Sequence, residues 1–234
     1  NPDEAGRLGV GYIDAGAAFA TNGGKVPADV TDLTCEPAFT SLTFQWTAVT
    51  DEDDHTPVKY HLYVSEEVLT ESNLEAAPYV RINATNIQPG TSMSYTLNAL
   101  TPGTAYHVAM IAIDRWGQTS AKPLFLDTTT KENHAPKVTG VPTEPIRVGR
   151  MEEKEVKLTA IDEDGHTFSY KLTGNTRGVT ANRKGDVITL QFRAAANPGK
   201  YTVTLILTDE LKAETSVDIP FEVEKGEAPT VSGE

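Results

Sequence analysis

Cysteine and long apolar runs are nearly absent from this sequence. The single cysteine, Cys35, cannot form an intramolecular disulfide, so the cysteine count does not identify the redox compartment. A buried, inert thiol is the favoured interpretation, because free cysteine commonly packs as a small hydrophobic residue. No apolar run approaches the roughly 20 residues that a membrane-spanning helix needs. The sequence therefore predicts no membrane span.

Basic residues are also scarce. Twenty lysines and arginines stand against 33 aspartates and glutamates, which gives a formal net charge of -13. Such a charge repels the phosphates of nucleic acids and of anionic membranes, whereas it suits solubility and divalent cations. We expect a monomer that does not bind nucleic acid. The lone cysteine and scattered histidines lack the paired spacings of a structural zinc site.

Helical periodicity is weak, and its one candidate is the segment 66–77, in a connection that ends at Pro78. Elsewhere apolar and polar residues alternate with the period of strands that have one face on a core. The clearest alternations are Leu42, Phe44 and Trp46; Tyr60, Leu62 and Val64; and Tyr106, Val108, Met110 and Ala112.

This alternation stops at residues 128–136, a polar stretch ending in proline that is typical of a linker between domains. A second series of strands follows, over residues 156–161, 168–172, 187–192, 201–207 and 217–223. Regularly spaced short strands predict an all-β fold, and each segment of about 100 residues suits an immunoglobulin-like β-sandwich. We therefore expect two tandem sandwiches.

The expected domain bounds follow from these changes in pattern. Residues 1–25 form an N-terminal segment that could hold a short helix, residues 26–131 and 132–224 form the two sandwiches, and residues 225–234 form a polar linker or tail. The natural chain could continue beyond Glu234.

The first sandwich carries a recognisable set of residues. Trp46 lies on its second strand, and the run from Leu100 to Tyr106 reads Leu-Thr-Pro-Gly-Thr-Ala-Tyr. With Val108, Ala112, Asp114, Gly117 and Ser120, this segment resembles a fibronectin type III domain over residues 26–131. The resemblance implies that Trp46, Leu100 and Tyr106 are structural, with the Tyr106 hydroxyl bonded back to the backbone.

The second sandwich opens with Asn133-His134-Ala135-Pro136 and carries Asp162-Glu163-Asp164-Gly165 and later Thr208-Asp209. In these motifs it resembles a cadherin-like or related bacterial immunoglobulin-like domain. The resemblance implies a calcium site near the start of the domain.

Acidic loops recur in both sandwiches between the second and third strands. Calcium takes roughly 6 to 8 oxygen ligands, and closely spaced aspartates on a loop can supply several. The candidate ligands are Asn133, Asp162, Asp164 and Asp209 in the second sandwich, and Asp51, Asp53, Asp54 and Asp114 in the first. Solvated acidic turns are the favoured alternative for each loop. No cofactor is required, and calcium would stiffen the chain rather than assist a reaction.

One segment is similar to an active-site motif. Gly90-Thr91-Ser92-Met93-Ser94 resembles the setting of the nucleophilic serine in subtilisin-like peptidases, although the proline that follows there is missing. A serine nucleophile needs a histidine base and a carboxylate that orients it, and no histidine here lies in that family's glycine-rich motif. Met93, Tyr95 and Leu97 alternate as in a strand. We therefore expect no catalytic residue in this chain.

Residues 6–20, Gly-Arg-Leu-Gly-Val-Gly-Tyr-Ile-Asp-Ala-Gly-Ala-Ala-Phe-Ala, resemble the end of a subtilisin-like peptidase domain. The resemblance implies a bacterial, secreted or cell-surface subtilisin-like serine peptidase, of which this chain is the non-catalytic accessory region. Its partners would be the peptidase domain in cis and an unidentified protein or glycan. The alternative is a stand-alone cell-surface adhesion or carbohydrate- or protein-binding protein, in which the first 24 residues are only a disordered leader.

Trp116 lies in the expected hairpin between the last two strands of the first sandwich. An exposed aromatic residue on such a loop could stack on a sugar or a protein partner. Packing against a neighbouring loop or module is the favoured alternative.

Overall fold

Alternating sequence folds into β-strands throughout the described part of the chain, residues 24–53 and 56–225 of a computed structural model. The chain divides between Glu132 and Asn133 into two compact units, here called unit 1 and unit 2. The described residues contain fifteen strands and a single three-residue 3-10 turn. The predicted all-β fold is confirmed.

The described part of unit 1 forms a three-stranded and a four-stranded antiparallel sheet. Its strands are β1 (Thr34–Pro37), β2 (Ser41–Thr47), β3 (Lys59–Ser65), β4 (Tyr79–Asn83), β5 (Ser92–Asn98), β6 (Ala105–Ile113) and β7 (Leu124–Thr129). The sheet orders are β1-β2-β5 and β4-β3-β6-β7. Both sheets turn one face to a shared apolar core.

The core of unit 1 is filled by every second residue of its strands, because successive side chains of a strand point to opposite faces. Leu42, Phe44 and Trp46 of β2 are at most 2% exposed. The Trp46 ring packs edge-on against Tyr60 of β3, with 5.4 Å between centroids. Tyr60, Leu62 and the even residues of β6 from Tyr106 to Ala112 lie in this core as predicted, whereas the odd residues 109, 111 and 113 are buried on the opposite face of β6.

The Tyr106 side chain bonds back to the turn that precedes β6. The Tyr106 side chain is 5% exposed, and its hydroxyl oxygen accepts the Thr101 amide at 3.1 Å. Leu100 packs against the same core. The structural role predicted for these residues thus consists of a hydrogen bond from the Thr101 amide to Tyr106 and of core packing by Leu100.

The predicted helix over residues 66–77 is wrong, since only Leu74–Ala76 forms a 3-10 turn. Asn73 accounts for this: its Oδ1 accepts the Thr70 amide at 2.8 Å, and its Nδ2 donates to the Val68 carbonyl at 2.9 Å. Such local side-chain bonds compete with helical backbone bonds. The segment instead buries Leu69 and Leu74 against the outer face of β3 and β6.

Unit 2 pairs two four-stranded sheets. Its strands are β8 (Lys137–Thr139), β9 (Ile146–Val148), β10 (Glu153–Ile161), β11 (Phe168–Gly174), β12 (Val179–Lys184), β13 (Val187–Arg193), β14 (Gly199–Asp209) and β15 (Glu214–Val223). The sheet orders are β12-β13-β10-β8 and β11-β14-β15-β9. All pairs are antiparallel except β9 with β15, which run parallel. An immunoglobulin-like sandwich is the result.

The core of unit 2 lies between these sheets and contains residues of unit 2 alone. Fully buried side chains include Leu158, Phe192 and Leu205, and the Phe192 ring contacts Phe221 with 5.4 Å between centroids. The turn before β12 approaches β13 closely, because a Cβ atom on Gly178 would collide with the Arg193 carbonyl. Glycine is therefore required there.

Candidate functional site

The loop that joins β10 to β11, residues 162–167, folds around the carboxylate of Asp162. The Asp162 Oδ1 atom accepts the amides of Asp164 at 3.0 Å and His166 at 3.1 Å. Gly165 adopts a φ of 79°, in the left-handed region that favours glycine. The Oδ1 atom of Asp162 therefore fixes the backbone positions of Asp164 and His166.

The second oxygen of Asp162 has no such role. The residue is only 9% exposed, and its Oδ2 atom is buried without a hydrogen-bond partner among the described residues. Ligand-capable atoms of Asp162, Asp164 and His166 all lie within 4.8 Å of one another. Within residues 24–53 and 56–225, this is the one such group of three or more acidic, histidine or cysteine side chains.

Asn133 and Asp209 form a second pair in unit 2. The Asn133 Nδ2 atom donates to Asp209 Oδ2 at 2.8 Å, across 76 residues of sequence. Asp209 is 2% exposed, and its Oδ1 accepts the Ala213 amide at 2.8 Å. The bonds on both its oxygens make Asp209 a structural support for the start of unit 2.

His134 lies over the acidic loop. Its amide donates to Asp164 Oδ2 at 2.6 Å, and its ring Nδ1 lies 3.3 Å from both Glu163 and Asp164. The hydrogen bond from the His134 backbone amide is the main cause that holds the pKa of Asp164 below its ordinary value. The His134 and His166 rings contribute less. Asp164 is therefore an ionised carboxylate at neutral pH.

Glu210 ties the loop to the end of β14. Its Oε1 accepts the Thr167 hydroxyl at 2.5 Å and the Thr167 amide at 3.2 Å. These bonds lower the pKa of Glu210. The loop is thus held at both of its ends.

Each of the four ligand candidates of unit 2 thus contacts another residue of this region, although Asp209 lies outside the group that contains Asp162 and Asp164. Calcium binding by these residues stays a prediction. Sequence reasoning missed His166, which the search for paired cysteine and histidine spacings passed over. The signal was present in Asp-x-Asp-x-His, with a glycine between the last two of these residues.

The corresponding loops of unit 1 are held by internal bonds. Asp53 accepts the amide of Lys25 at 2.9 Å, which lowers the pKa of Asp53. Asp114 is 1% exposed and accepts the Gln118 amide at 2.8 Å. Asp51 is buried, and Asp54 lies outside the described residues. Calcium binding in unit 1 also stays a prediction.

Ser92 and the nearby histidines lie on different sheets. Ser92 begins β5, exposed and paired in register with Thr47 of β2. His61 and His107 lie on the outer face of the other sheet, where His107 Nδ1 is 2.7 Å from Asp127 Oδ1. Because a general base must reach the proton that it removes, Ser92 does not form a nucleophile–base pair with these residues.

Aromatic rings lie on that same outer face. His61 stacks on Tyr79 with 3.8 Å between centroids and 15° between planes, and Tyr63 contacts Tyr79 at 5.4 Å. Partial burial, followed by the charges of Lys59 and Arg81, lowers the pKa of His61. Tyr79 remains 51% exposed, and Trp116 in the β6–β7 connection is 47% exposed. Both rings are accessible to a ligand.

Comparison with known proteins agrees with the geometry of unit 1. Residues 28–125 match the family model of the fibronectin type III domain. These residues of unit 1 are a fibronectin type III domain. The resemblance carried by Trp46, Leu100 and Tyr106 is confirmed. No curated protein matches the sequence.

Similar solved structures include the spore cortex lytic enzyme SleM of Clostridium perfringens, at 16% identity and a TM-score of 0.32, covering 44% of this chain and 28% of that one. The fibronectin(III)-like modules of Clostridium thermocellum CbhA share 13% identity over 82% of this chain and 94% of theirs, with a TM-score of 0.33. The chitinase ChiA74 from Bacillus thuringiensis shares 16% identity over 88% of this chain and 28% of that one, with a TM-score of 0.33.

The chain thus spans less than a third of SleM and of the chitinase. The relatives named here include neither a subtilisin-like peptidase nor a cadherin-like domain, so those two resemblances stay hypotheses. In the described ranges, no helix has the length and apolarity needed to cross a bilayer.

Proposed function

We propose that the two units are non-catalytic accessory modules of a secreted or cell-surface subtilisin-like serine peptidase. They would act as spacers or docking surfaces that hold the peptidase away from a cell surface or near a substrate. The observation that carries the proposal is the order of segments: the peptidase-like motif at residues 6–20, then the fibronectin type III domain, then a second sandwich. The motif lies outside the described residues, so its sequence alone supports the link to a peptidase.

The positions of Ser92, His61 and His107 support the non-catalytic part of the proposal. We expect no labelling of the purified chain by a fluorophosphonate, which reacts with activated serines. Labelling that is lost in Ser92→Ala and kept in Ser94→Ala would overturn it. Ser94 is a matched control because it lies two residues along the same face of β5.

The peptidase link is tested by the coding sequence upstream of Asn1. We expect a serine peptidase domain in the same reading frame, and its absence would contradict the proposal. In the longer protein, deletion of residues 26–225 should leave kcat/KM for a short soluble peptide within about twofold. Cleavage of a surface-bound protein should fall, because the docking modules are gone.

Stand-alone adhesion is the second candidate, and the exposed aromatic rings of unit 1 favour it. Tyr79, which stacks on His61, and Trp116, in the β6–β7 connection, each present a large apolar surface to solvent. In a glycan and protein array, Tyr79→Ala or Trp116→Ala should weaken binding about tenfold. Phe125→Ala is the control, since Phe125 is 40% exposed on β7 outside the stacked rings. An array without any ligand would count against this candidate.

A further inference from the structure

We infer that the β10–β11 loop of unit 2 binds a divalent transition-metal ion through a carboxylate oxygen each of Asp162 and Asp164 and an imidazole nitrogen of His166. The inference is independent of the proposed function, because it rests on one loop of unit 2.

The three side chains are already close together. Their ligand atoms lie within 4.8 Å of one another. Around an ion with bonds of about 2.0–2.2 Å, ligand atoms are about 3–4 Å apart. Small rotations of the half-buried Asp164 and His166 side chains therefore bring the ligand atoms to these separations.

The buried Oδ2 atom of Asp162 points to a ligand independently of this clustering. A buried carboxylate oxygen without a hydrogen bond is costly, and a bound cation removes that cost. The Oδ1 atom of the same carboxylate is committed to the amides of Asp164 and His166. One side chain thus shapes the loop and keeps an oxygen available for the ion.

The support around the loop is of the kind that metal ligands have. The His134 amide orients the Asp164 carboxylate, and Glu210 holds the loop end through Thr167. Residues that hydrogen-bond to metal ligands hold those ligands in position, and their mutation typically lowers metal affinity by about 10–100-fold. His134 and Glu210 are therefore positioning residues.

The ligand chemistry selects the class of ion. Calcium and magnesium prefer oxygen ligands alone, whereas imidazole together with carboxylates suits zinc, manganese and ferrous iron. The partial exposure of Asp164 and His166 leaves room for water at the remaining positions. Zinc is the practical probe, because it accepts both ligand types.

The test is calorimetric titration of the whole, chelator-treated chain with Zn²⁺, and separately with Ca²⁺ and Mg²⁺. We expect one Zn²⁺ per chain at this site, bound at least tenfold more weakly by Asp162→Asn and by His166→Gln. His107→Gln is the matched control and should bind as the wild type does, since it removes an imidazole beside a carboxylate in unit 1.

Asp162→Asn keeps an oxygen for the two amides, and His166 lies outside the core of unit 2, so at least one variant should fold. Equal Zn²⁺ affinity in the wild type and His166→Gln would overturn the inference. Ca²⁺ binding that requires Asp162 but not His166, without Zn²⁺ binding, would overturn it as well.

Discussion

The hydroxyl of Tyr106 shows how one atom stabilises unit 1. In Tyr106→Phe the Thr101 amide loses its acceptor, which should lower the free energy of unfolding by about 0.5–1.5 kcal/mol. Both tryptophans of the chain, Trp46 and Trp116, lie in unit 1, so tryptophan fluorescence in a urea titration measures this unit selectively. Tyr79→Phe, which removes a hydroxyl from an exposed ring, is the control. An unchanged midpoint in Tyr106→Phe would contradict the prediction.

Asp164 gives unit 2 a dependence on pH. Its pKa lies below the ordinary 3.8 in the folded chain, chiefly because of the His134 amide. A depressed folded pKa contributes stability that is present above the unfolded value and is lost as the pH falls through the folded value. The unfolding temperature of unit 2 should therefore fall between pH 5 and pH 3.

Asp164→Asn removes that contribution, so the fall should be shallower in the variant. Calorimetric scans at half-unit pH steps measure it, and Asp218→Asn, on β15 away from the loop, serves as the control. Identical slopes for the wild type and Asp164→Asn would show that the carboxylate has no such effect.

At the scale of elements, two glycines with the same φ allow the cost of a left-handed backbone to be distinguished from the cost of a steric clash of an added Cβ atom. Gly165 and Gly178 both have a φ of 79°, but a Cβ atom meets open space at Gly165 and the Arg193 carbonyl at Gly178. Gly165→Ala should cost unit 2 about 1–2 kcal/mol from the left-handed backbone alone. Gly178→Ala should cost more, because β12 and β13 must separate. Calorimetry of both variants checks the order, and equal losses would contradict it.

The long strands could be predicted, because a period of two is visible once several residues repeat it. Strand β2 shows it clearly, whereas β6 is apolar at every residue from 108 to 113, and β8 and β9, with three residues each, are too short to show it. The segment 66–77 was misjudged because the bonds of Asn73 override a weak helical pattern.

For the candidate site, sequence proximity decided what could be predicted. Asp162 and Asp164 lie two residues apart on one loop, so their grouping follows from the sequence. The bond between Asn133 and Asp209 spans 76 residues and depends on how β14 lies beside the start of unit 2. The buried Oδ2 of Asp162 is a property of packing, which no local pattern encodes.

At the scale of the whole molecule, each unit has its own apolar core. The core residues of unit 2 all lie between Val138 and Val223, and those of unit 1 all precede Glu132. Segments with their own core can fold alone. We expect the fragment 133–225 to unfold cooperatively and to give a dispersed amide spectrum, and Phe192→Ala in it to cost about 3–5 kcal/mol. A fragment without a cooperative transition would contradict this.

The parallel pairing of β9 with β15 has a mechanical consequence. Strand β9 lies near the start of unit 2 and β15 near its end, so a pull on the two ends slides these strands along each other. Their hydrogen bonds are then loaded together in shear instead of opening one after another. Unit 2 should therefore resist stretching in a single-molecule force experiment until β9 and β15 separate in one step. Such resistance is what a tether under tension needs.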